Sequence, residues 1–221
     1  AVSDVSFSVP HGRMTGFVGG NGAGKTTTMR MIMGVLSITE GRVLWGDRPI
    51  TAADQRSIGY MPEERGLYRR MRAIDAIVFF AGLKRVPAAE ARHRGLALLE
   101  SQGLGAAARK PIKSLSKGMA QKVQLIASVV HRPEFVILDE PFSGLDPVNQ
   151  QGLEEMIRGL AANGATVLFS THVMQHAERL CERVVLLARG RKRFDGTVEE
   201  ARAAAPRLLR LEGELDAADV A

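Results

Sequence analysis

The sequence predicts an α/β fold built on a mostly parallel sheet, because short apolar segments alternate along the chain with longer segments of helical periodicity. Four consecutive apolar residues at 135–138 (FVIL) are typical of a strand buried on both faces, as strands of parallel sheets usually are. The other predicted strands are 5–9, 14–18, 41–50 with a turn inside it, 58–61, 166–170 and 184–188. An antiparallel β subdomain is expected near the N-terminus, where Pro10-His11-Gly12 forms a hairpin turn between the first two strands.

The predicted helices place apolar residues on one helical face. In the first helix these are Met29, Ile32, Met33 and Leu36. Gly34 is a candidate helix stop. The stretch 72–130 shows helical periodicity and is interpreted as a subdomain inserted between core segments 1–71 and 131–203. A single domain spanning 1–221 is therefore predicted.

The composition suits a globular protein of a reducing compartment such as the cytoplasm. Hydrophobic residues make up 45% of the chain, and no apolar run reaches the 18 or so residues of a membrane-spanning helix. The one cysteine, Cys181, excludes an internal disulfide. A net charge of +6 suggests nucleic-acid binding as an alternative, but the basic clusters at 65–72 and 189–193 lack interleaved aromatic residues. No direct nucleic-acid partner is expected.

One motif organises the chemistry of the chain. The stretch from Gly19 to Thr27 fits G-x-x-x-x-G-K-[ST] and lies between a predicted strand and a predicted helix. Backbone N–H groups of such a loop, together with a helix N-terminus, wrap the phosphates of a nucleotide. We expect Lys25 to reach the β- and γ-phosphates and the Thr26 hydroxyl to hold Mg²⁺. The predicted nucleotide-binding residues are Gly19, Gly20, Asn21, Gly22, Ala23, Gly24, Lys25, Thr26 and Thr27.

Two acidic residues stand directly after the strand at 135–138. Asp139 occupies the place where phosphate-loop proteins hold Mg²⁺ with a carboxylate, and Glu140 is placed to take a proton from an attacking water. The alternative, a strand end with two solvated acids, is disfavoured by the loop upstream. Asp146 and Pro147 begin the next helix as N-cap and first-turn residue.

Five motifs follow one another along the chain: the phosphate loop, Leu115-Ser116-Lys117-Gly118-Met119, Leu138-Asp139-Glu140-Pro141, Ser143-Gly144-Leu145-Asp146-Pro147 and Ser170-Thr171-His172. In order and spacing they resemble the motifs of the ATP-binding cassette (ABC) ATPases, and the resemblance covers essentially the whole chain. The resemblance implies a RecA-like P-loop NTPase core that binds ATP and Mg²⁺ and hydrolyses ATP. Glu140, His172 and Lys25 are the catalytic residues that it implies.

The resemblance also implies a second molecule at the site. Domains of this family pair head-to-tail. Each phosphate loop then faces the signature helix of the other domain, which is the helix that begins in the motif at 115–119. Ser116 and Gly118 are then expected to contact the γ-phosphate in trans, and Asp146 to lie in a loop that crosses the interface. Taken alone, Ser116 and Asp146 are helix N-caps, and the two roles are compatible. A metal site at His172 and His176 is disfavoured because the zinc-protease glutamate is missing between them.

The chain departs from the family pattern at several positions. Gly20 replaces a common proline, and Lys117 and Met119 differ from the usual L-S-G-G-Q signature. Glu63 stands at the glutamine-loop position, where we expect it to ligate Mg²⁺. The family's adenine-stacking aromatic is expected upstream of Ala1. Residues 204–221 resemble the start of a C-terminal extension.

The stretch 60–68 resembles the sodium-extrusion and drug-resistance exporter ATPases of this family. The implied function is that of an ATP-hydrolysing subunit, bound at the inner face of the plasma membrane, which powers a separate integral membrane permease. Arg65, Tyr68 and Arg69 are expected to contact that permease. The alternatives are a non-transport relative acting on ribosomes or DNA, and a binding-only cassette, which the presence of Glu140 and His172 disfavours.

Overall fold

The computed structural model describes residues 2–64 and 66–204. The strands are β1 (Met14–Val18), β2 (Leu44–Trp45), β3 (Arg48–Pro49), β4 (Gly59–Met61), β5 (Phe135–Leu138), β6 (Thr166–Thr171), β7 (Arg183–Ala188) and β8 (Arg191–Thr197). The helices are α1 (Lys25–Ile32), α2 (Ala52–Ser57), α3 (Ala73–Leu83), α4 (Ala88–Ser101), α5 (Lys117–Val129), α6 (Pro147–Ala162), α7 (Met174–Leu180) and α8 (Val198–Ala204).

Six strands form the main sheet, in the order β4-β5-β6-β1-β7-β8. The first five run parallel, and β8 pairs antiparallel with β7. Strands β2 and β3 form a separate antiparallel pair. The predicted α/β fold with a mostly parallel sheet and a small antiparallel part is confirmed.

Strand β5 is buried on both faces, as its apolar run predicts. Val136 and Leu138 pack into a cluster with Leu153 of α6. Ile137 points to the opposite face, where it packs in a cluster with Met29 of α1. Because both faces are covered by helices, polar groups at this part of the sheet come to the surface at the strand ends.

The helices between 73 and 129 pack around a cluster of their own. Ile77 of α3, Leu99 of α4 and Ile126 of α5 are all fully buried in it. Helix α5 also contributes Leu125 and Val129 to the cluster against the sheet. This helix therefore packs on both the helical region and the sheet.

Two predicted elements differ from the structure. Residues 5–9 are not a strand, because no described residue forms a β-ladder with them; Phe7 is held by its side chain instead, with its ring 5.0 Å from that of Phe17. Helix α1 ends at Ile32, and Leu36 lies outside it and is exposed. Gly34 adopts a left-handed φ of 68°, which ends the helix before the predicted apolar stripe is complete. The predicted extension at 204–221 lies, apart from Ala204, outside the described residues, as does Arg65.

Candidate functional site

The predicted site residues gather at the carboxyl edge of the sheet. Strands β4, β5, β6 and β1 are neighbours and parallel, so their carboxyl ends open on the same side. The segments that follow them carry Glu63, Asp139, His172 and Gly19, respectively. This edge, outside the strand ends of an open α/β sheet, is where such folds bind ligands.

The phosphate loop joins β1 to α1 through a backbone that only glycine adopts easily. Gly24, the N-cap of α1, has a φ of 104°, and Gly22 has a φ of 75°. A Cβ at Gly19 would lie 2.4 Å from the Leu187 carbonyl oxygen of β7, so this position is closed to a side chain. The loop follows β1 directly, and the Gly19 N–H donates to the Thr171 carbonyl at 3.1 Å. The loop is thus fixed to the two strands that flank β1.

Lys25 lies at the start of α1 with its side chain only 6% exposed. Its Nζ donates to the Gly19 and Gly20 carbonyl oxygens at 2.7 and 3.2 Å. The same Nζ lies 3.0 Å from Glu140 Oε1, an ion pair that lacks the alignment of a hydrogen bond. The loop lysine and the predicted general base are therefore in direct contact.

Glu140 is held from three directions. Its backbone turns out of β5 with a left-handed φ of 46°, a strained value for a residue other than glycine, and its N–H donates to Ser170 Oγ at 2.8 Å. Oε2 of its carboxylate lies 2.9 Å from His172 Nδ1. The carboxylate thus bridges Lys25 and the half-exposed imidazole of His172.

Asp139 is fully buried and half satisfied. Its Oδ1 accepts a hydrogen bond from Ser170 Oγ at 2.7 Å, whereas its Oδ2 is buried with no hydrogen-bond partner among the described residues. A free carboxylate oxygen beside a phosphate loop fits the ligand chemistry of Mg²⁺. Thr26, in the first turn of α1, is half-buried and supplies a hydroxyl of the type that completes such a site. Burial raises the pKa of Tyr60, and the Asp139 charge raises it further.

Glu63 lies two residues beyond β4 and is exposed. Its loop is joined to the site through the backbone, since the Asp139 N–H donates to the Met61 carbonyl at 2.8 Å. Glu63 is therefore at the correct edge of the sheet, but it lacks the burial of Asp139.

The signature residues Ser116 and Gly118 lie at the N-terminus of α5. Ser116 is exposed and caps the helix, its Oγ accepting the Met119 N–H at 3.2 Å. Gly118 is buried against α6, where an added Cβ would meet the Asn149 side chain at 2.1 Å. Asp146 caps α6 by accepting the Asn149 N–H at 3.0 Å, and this bond lowers the pKa of the Asp146 carboxyl. Gly118 thus joins α5 to α6, whereas the Ser116 hydroxyl and the Asp146 carboxylate each bond within the first turn of their own helix.

The sequence did not indicate the roles of three polar residues of the site. Ser170 belongs to a recognised motif, but its link between Asp139 and Glu140 was not predicted, because it is fully buried inside an apolar strand. Gln121 and Gln124 are buried on α5 and donate to backbone carbonyls of the loops after β5 and β4. Their i, i+3 spacing on the inward face of an apolar helix is the signal that could have found them.

A phosphate loop, a buried acidic pair and a histidine at the carboxyl edge of a parallel sheet define a nucleotide-binding protein of the P-loop class. The family model described as "ABC transporter" matches residues 2–143, which is more than half of the chain. The chain therefore belongs to the ABC transporter family, among its ATP-binding proteins.

Relatives and a solved structure agree with this family. The chain is 46% identical over 200 residues to the ABC transporter ATP-binding protein YhaQ of Bacillus subtilis, covering 90% of this chain and 67% of the relative. It is 34% identical to the linearmycin resistance ATP-binding protein LnrL of the same organism, covering 89% of this chain and 64% of the relative. The structure of cbiO1 from Clostridium perfringens, part of the transporter complex cbiONQ, superposes with a TM-score of 0.81 at 27% identity, covering 92% of this chain and 84% of that one.

Within 2–64 and 66–204, none of the helices combines the length and the apolar character needed to cross a membrane.

Proposed function

We propose that this chain is a Mg²⁺-dependent ATP hydrolase that powers a separate integral membrane permease from the inner face of the plasma membrane. The carrying observation is the Glu140 carboxylate, held between Lys25 Nζ and His172 Nδ1 beside an Asp139 that has one free oxygen. The relationship to LnrL, which is named for linearmycin resistance, supports an exporter. In this proposal residues 1–221 form one nucleotide-binding domain, with a core of 1–71 and 131–203 and a helical subdomain of 72–130.

The proposed chemistry assigns one task to each buried group. The N–H groups of the loop from Gly19 to Thr27 bind the phosphates, and Lys25 neutralises charge that develops on the γ-phosphate. Glu140 accepts a proton from the attacking water, and His172 orients the Glu140 carboxylate through the 2.9 Å contact. Ser170 holds Asp139 and Glu140 in fixed relation to each other.

Thr26, Asp139 and Glu63 are the proposed holders of Mg²⁺. The metal ion, when bound, neutralises the phosphate oxygens and orients them for in-line attack. Asp139 Oδ2 supports this assignment most strongly, because a buried carboxylate oxygen without a partner is costly unless a cation or donor satisfies it.

A second copy or a related subunit is proposed to complete the site. Ser116 and Gly118 lie at the N-terminus of α5, and a helix N-terminus attracts anions. Asp146 caps α6, the helix whose Asn149 side chain lies against Gly118. In a head-to-tail dimer, ATP would lie between the loop of one subunit and this surface of the other.

Turnover by the purified chain tests the hydrolysis. Phosphate release from ATP is measured with Mg²⁺ and with EDTA in excess, alongside ATP binding by equilibrium dialysis. We expect release with Mg²⁺ and its loss with EDTA. ATP binding without release in the presence of Mg²⁺, at concentrations that support dimer formation, would reject hydrolysis and favour a binding-only cassette.

The permease surface is tested by charge reversal. Tyr68 and Arg69 are exposed on the segment that follows β4. Arg69→Glu should reduce co-purification with the permease and leave ATP hydrolysis by the chain alone at the parent rate. Arg193→Glu, an equal change on the exposed face of the edge strand β8, is the matched control. Equal recovery of the permease with both variants would remove Arg69 from the interface.

A further inference from the structure

Two buried glutamines lie one turn apart on α5. Gln121 and Gln124 are each 4% exposed, in a helix whose other buried residues are mostly apolar. Gln121 Nε2 donates to the Pro141 carbonyl at 2.9 Å. Gln124 Nε2 donates to the Pro62 carbonyl at 2.9 Å and to the Glu64 carbonyl at 3.2 Å.

The two amides contact the two loops that carry the acidic residues of the site. Pro141 directly follows Glu140, the proposed general base. Pro62 and Glu64 flank Glu63, the proposed Mg²⁺ ligand, and Pro62 contributes no N–H with which the loop could pair itself. Each loop is therefore joined to α5 by a side-chain hydrogen bond in addition to its own strand.

Helix α5 is well placed to transmit movement. Its apolar residues pack both on the sheet, through Leu125, and on the helical region, through Ile126. Its N-terminus carries Ser116, the residue proposed to face ATP on another subunit. A displacement of this N-terminus moves the helix as a unit, because its backbone hydrogen bonds make it stiff along its axis.

We propose that Gln121 and Gln124 are positioning residues that join the loops after β5 and β4 to α5. Glu140 and Glu63 then follow the signature helix when a second subunit or a permease displaces it. Apolar side chains of the same length would serve the packing equally well, and a buried amide is favourable only when its donors are paired. The effect on hydrolysis rests on the proposed function, whereas the effect on loop protection does not.

The primary test is amide hydrogen exchange of Gln124→Met and Gln121→Met, which keep side-chain length and remove the donors. In Gln124→Met, exchange in segment 58–68 should rise about tenfold, equivalent to about 1.4 kcal/mol, while segment 139–146 stays at the parent rate. In Gln121→Met the pattern should reverse. Gln55→Met is the matched control, since Gln55 Nε2 donates to the Ile32 carbonyl at 3.3 Å, away from both loops.

The second readout separates positioning from simple support of the fold. Each variant should lower kcat about tenfold and leave the ATP dissociation constant within about twofold, because the hydrogen bonds of both glutamines among the described residues go to the loops after β5 and β4 and not to the phosphate loop. Exchange that rises equally across the chain, or at neither loop, would overturn the proposal. Loop-selective exchange with an unchanged kcat would overturn its catalytic part. If the parent chain hydrolyses no ATP, the proposed function fails, and the exchange pattern still decides the positioning.

Discussion

The two halves of the proposed ATP site are built differently. At the edge of the sheet, Lys25 and Asp139 are buried; Lys25 Nζ donates to the Gly19 carbonyl of the loop, and Asp139 Oδ1 accepts from Ser170 of β6. At the N-terminus of α5, Ser116 is exposed and its hydroxyl accepts the Met119 N–H of its own helix turn. The geometry of the first half therefore depends on the fold of the chain, whereas the second half is an exposed surface.

This difference indicates where substitutions should affect stability and where they should affect assembly. A buried charged group that loses its partner destabilises the chain, because the remaining charge stays out of water. An exposed helix cap costs little when it is removed, since water replaces the bond. Losses of stability in the single chain should therefore be larger for substitutions at the sheet edge than for those at the N-terminus of α5. Losses of ATP-dependent pairing should not follow this order.

The largest effect is expected for Glu140→Gln. The amide cannot accept the proton, so phosphate release should fall by about 10²- to 10⁴-fold, while ATP-driven pairing persists in size-exclusion chromatography. Glu134→Gln, an exposed change just before β5, is the control and should match the parent. Phosphate release by Glu140→Gln at the parent rate would show that Glu140 is not the general base.

Among these substitutions, Lys25→Met should lower the free energy of unfolding of the chain the most. It leaves the Glu140 carboxylate, which is 8% exposed, without its cation, and the expected loss of stability is about 3–5 kcal/mol in urea unfolding. The double variant Lys25→Met, Glu140→Gln should recover most of that loss, because position 140 then carries no buried charge that needs the lysine. A double variant no more stable than Lys25→Met would contradict the importance of this ion pair.

Ser170→Ala should have an intermediate effect. It leaves the buried N–H of Glu140 without its acceptor, at an expected cost of about 1–3 kcal/mol in urea unfolding, together with a lower kcat. Ser128→Ala provides the comparison, because this buried hydroxyl donates to the Leu125 carbonyl of its own helix. Equal stability of the two variants would argue against a special role for Ser170.

Ser116→Ala should change the stability of the chain least, by about 1 kcal/mol for a lost N-cap. In a Glu140→Gln background, however, it should raise the ATP concentration needed for pairing, as measured by light scattering. Ser114→Ala, which removes another exposed hydroxyl just before α5, is expected to leave pairing unchanged. An unaltered pairing curve for Ser116→Ala would contradict the proposal that the N-terminus of α5 takes part in ATP-dependent pairing.

The parts of the fold set by local pattern could be predicted, and those set by distant partners could not. Strand β5 and the phosphate loop follow from four apolar residues and from glycine spacing. The segment 5–9 has the composition of a strand, but a strand needs a ladder partner, and no local signal supplies one. Likewise, α1 ends at Ile32 because Gly34 turns left-handed, although the apolar pattern continues to Leu36.

The site could be predicted where chemistry dictates residue type at fixed spacing. Lys25, Asp139, Glu140 and His172 come together as expected at one edge of the sheet. Their contacts could not be predicted, because the Ser170 hydroxyl that links Asp139 to Glu140 acts between two strands. Sequence order does not show which strands are neighbours. The predicted roles of these four residues, like those of Ser116, Gly118 and Glu63, remain predictions.

The position of β1 between β6 and β7 has a consequence for the order in which the chain is made. The Gly12 N–H, just before β1, donates to Thr166 Oγ1, 154 residues further along. The strand that presents the phosphate loop is therefore synthesised early, and both of its neighbours are synthesised late. Contacts of such sequence separation form slowly, because a long segment must be ordered before they are made. A nascent chain that ends before β6 contains the entire phosphate-loop motif but not the strands that hold it in place.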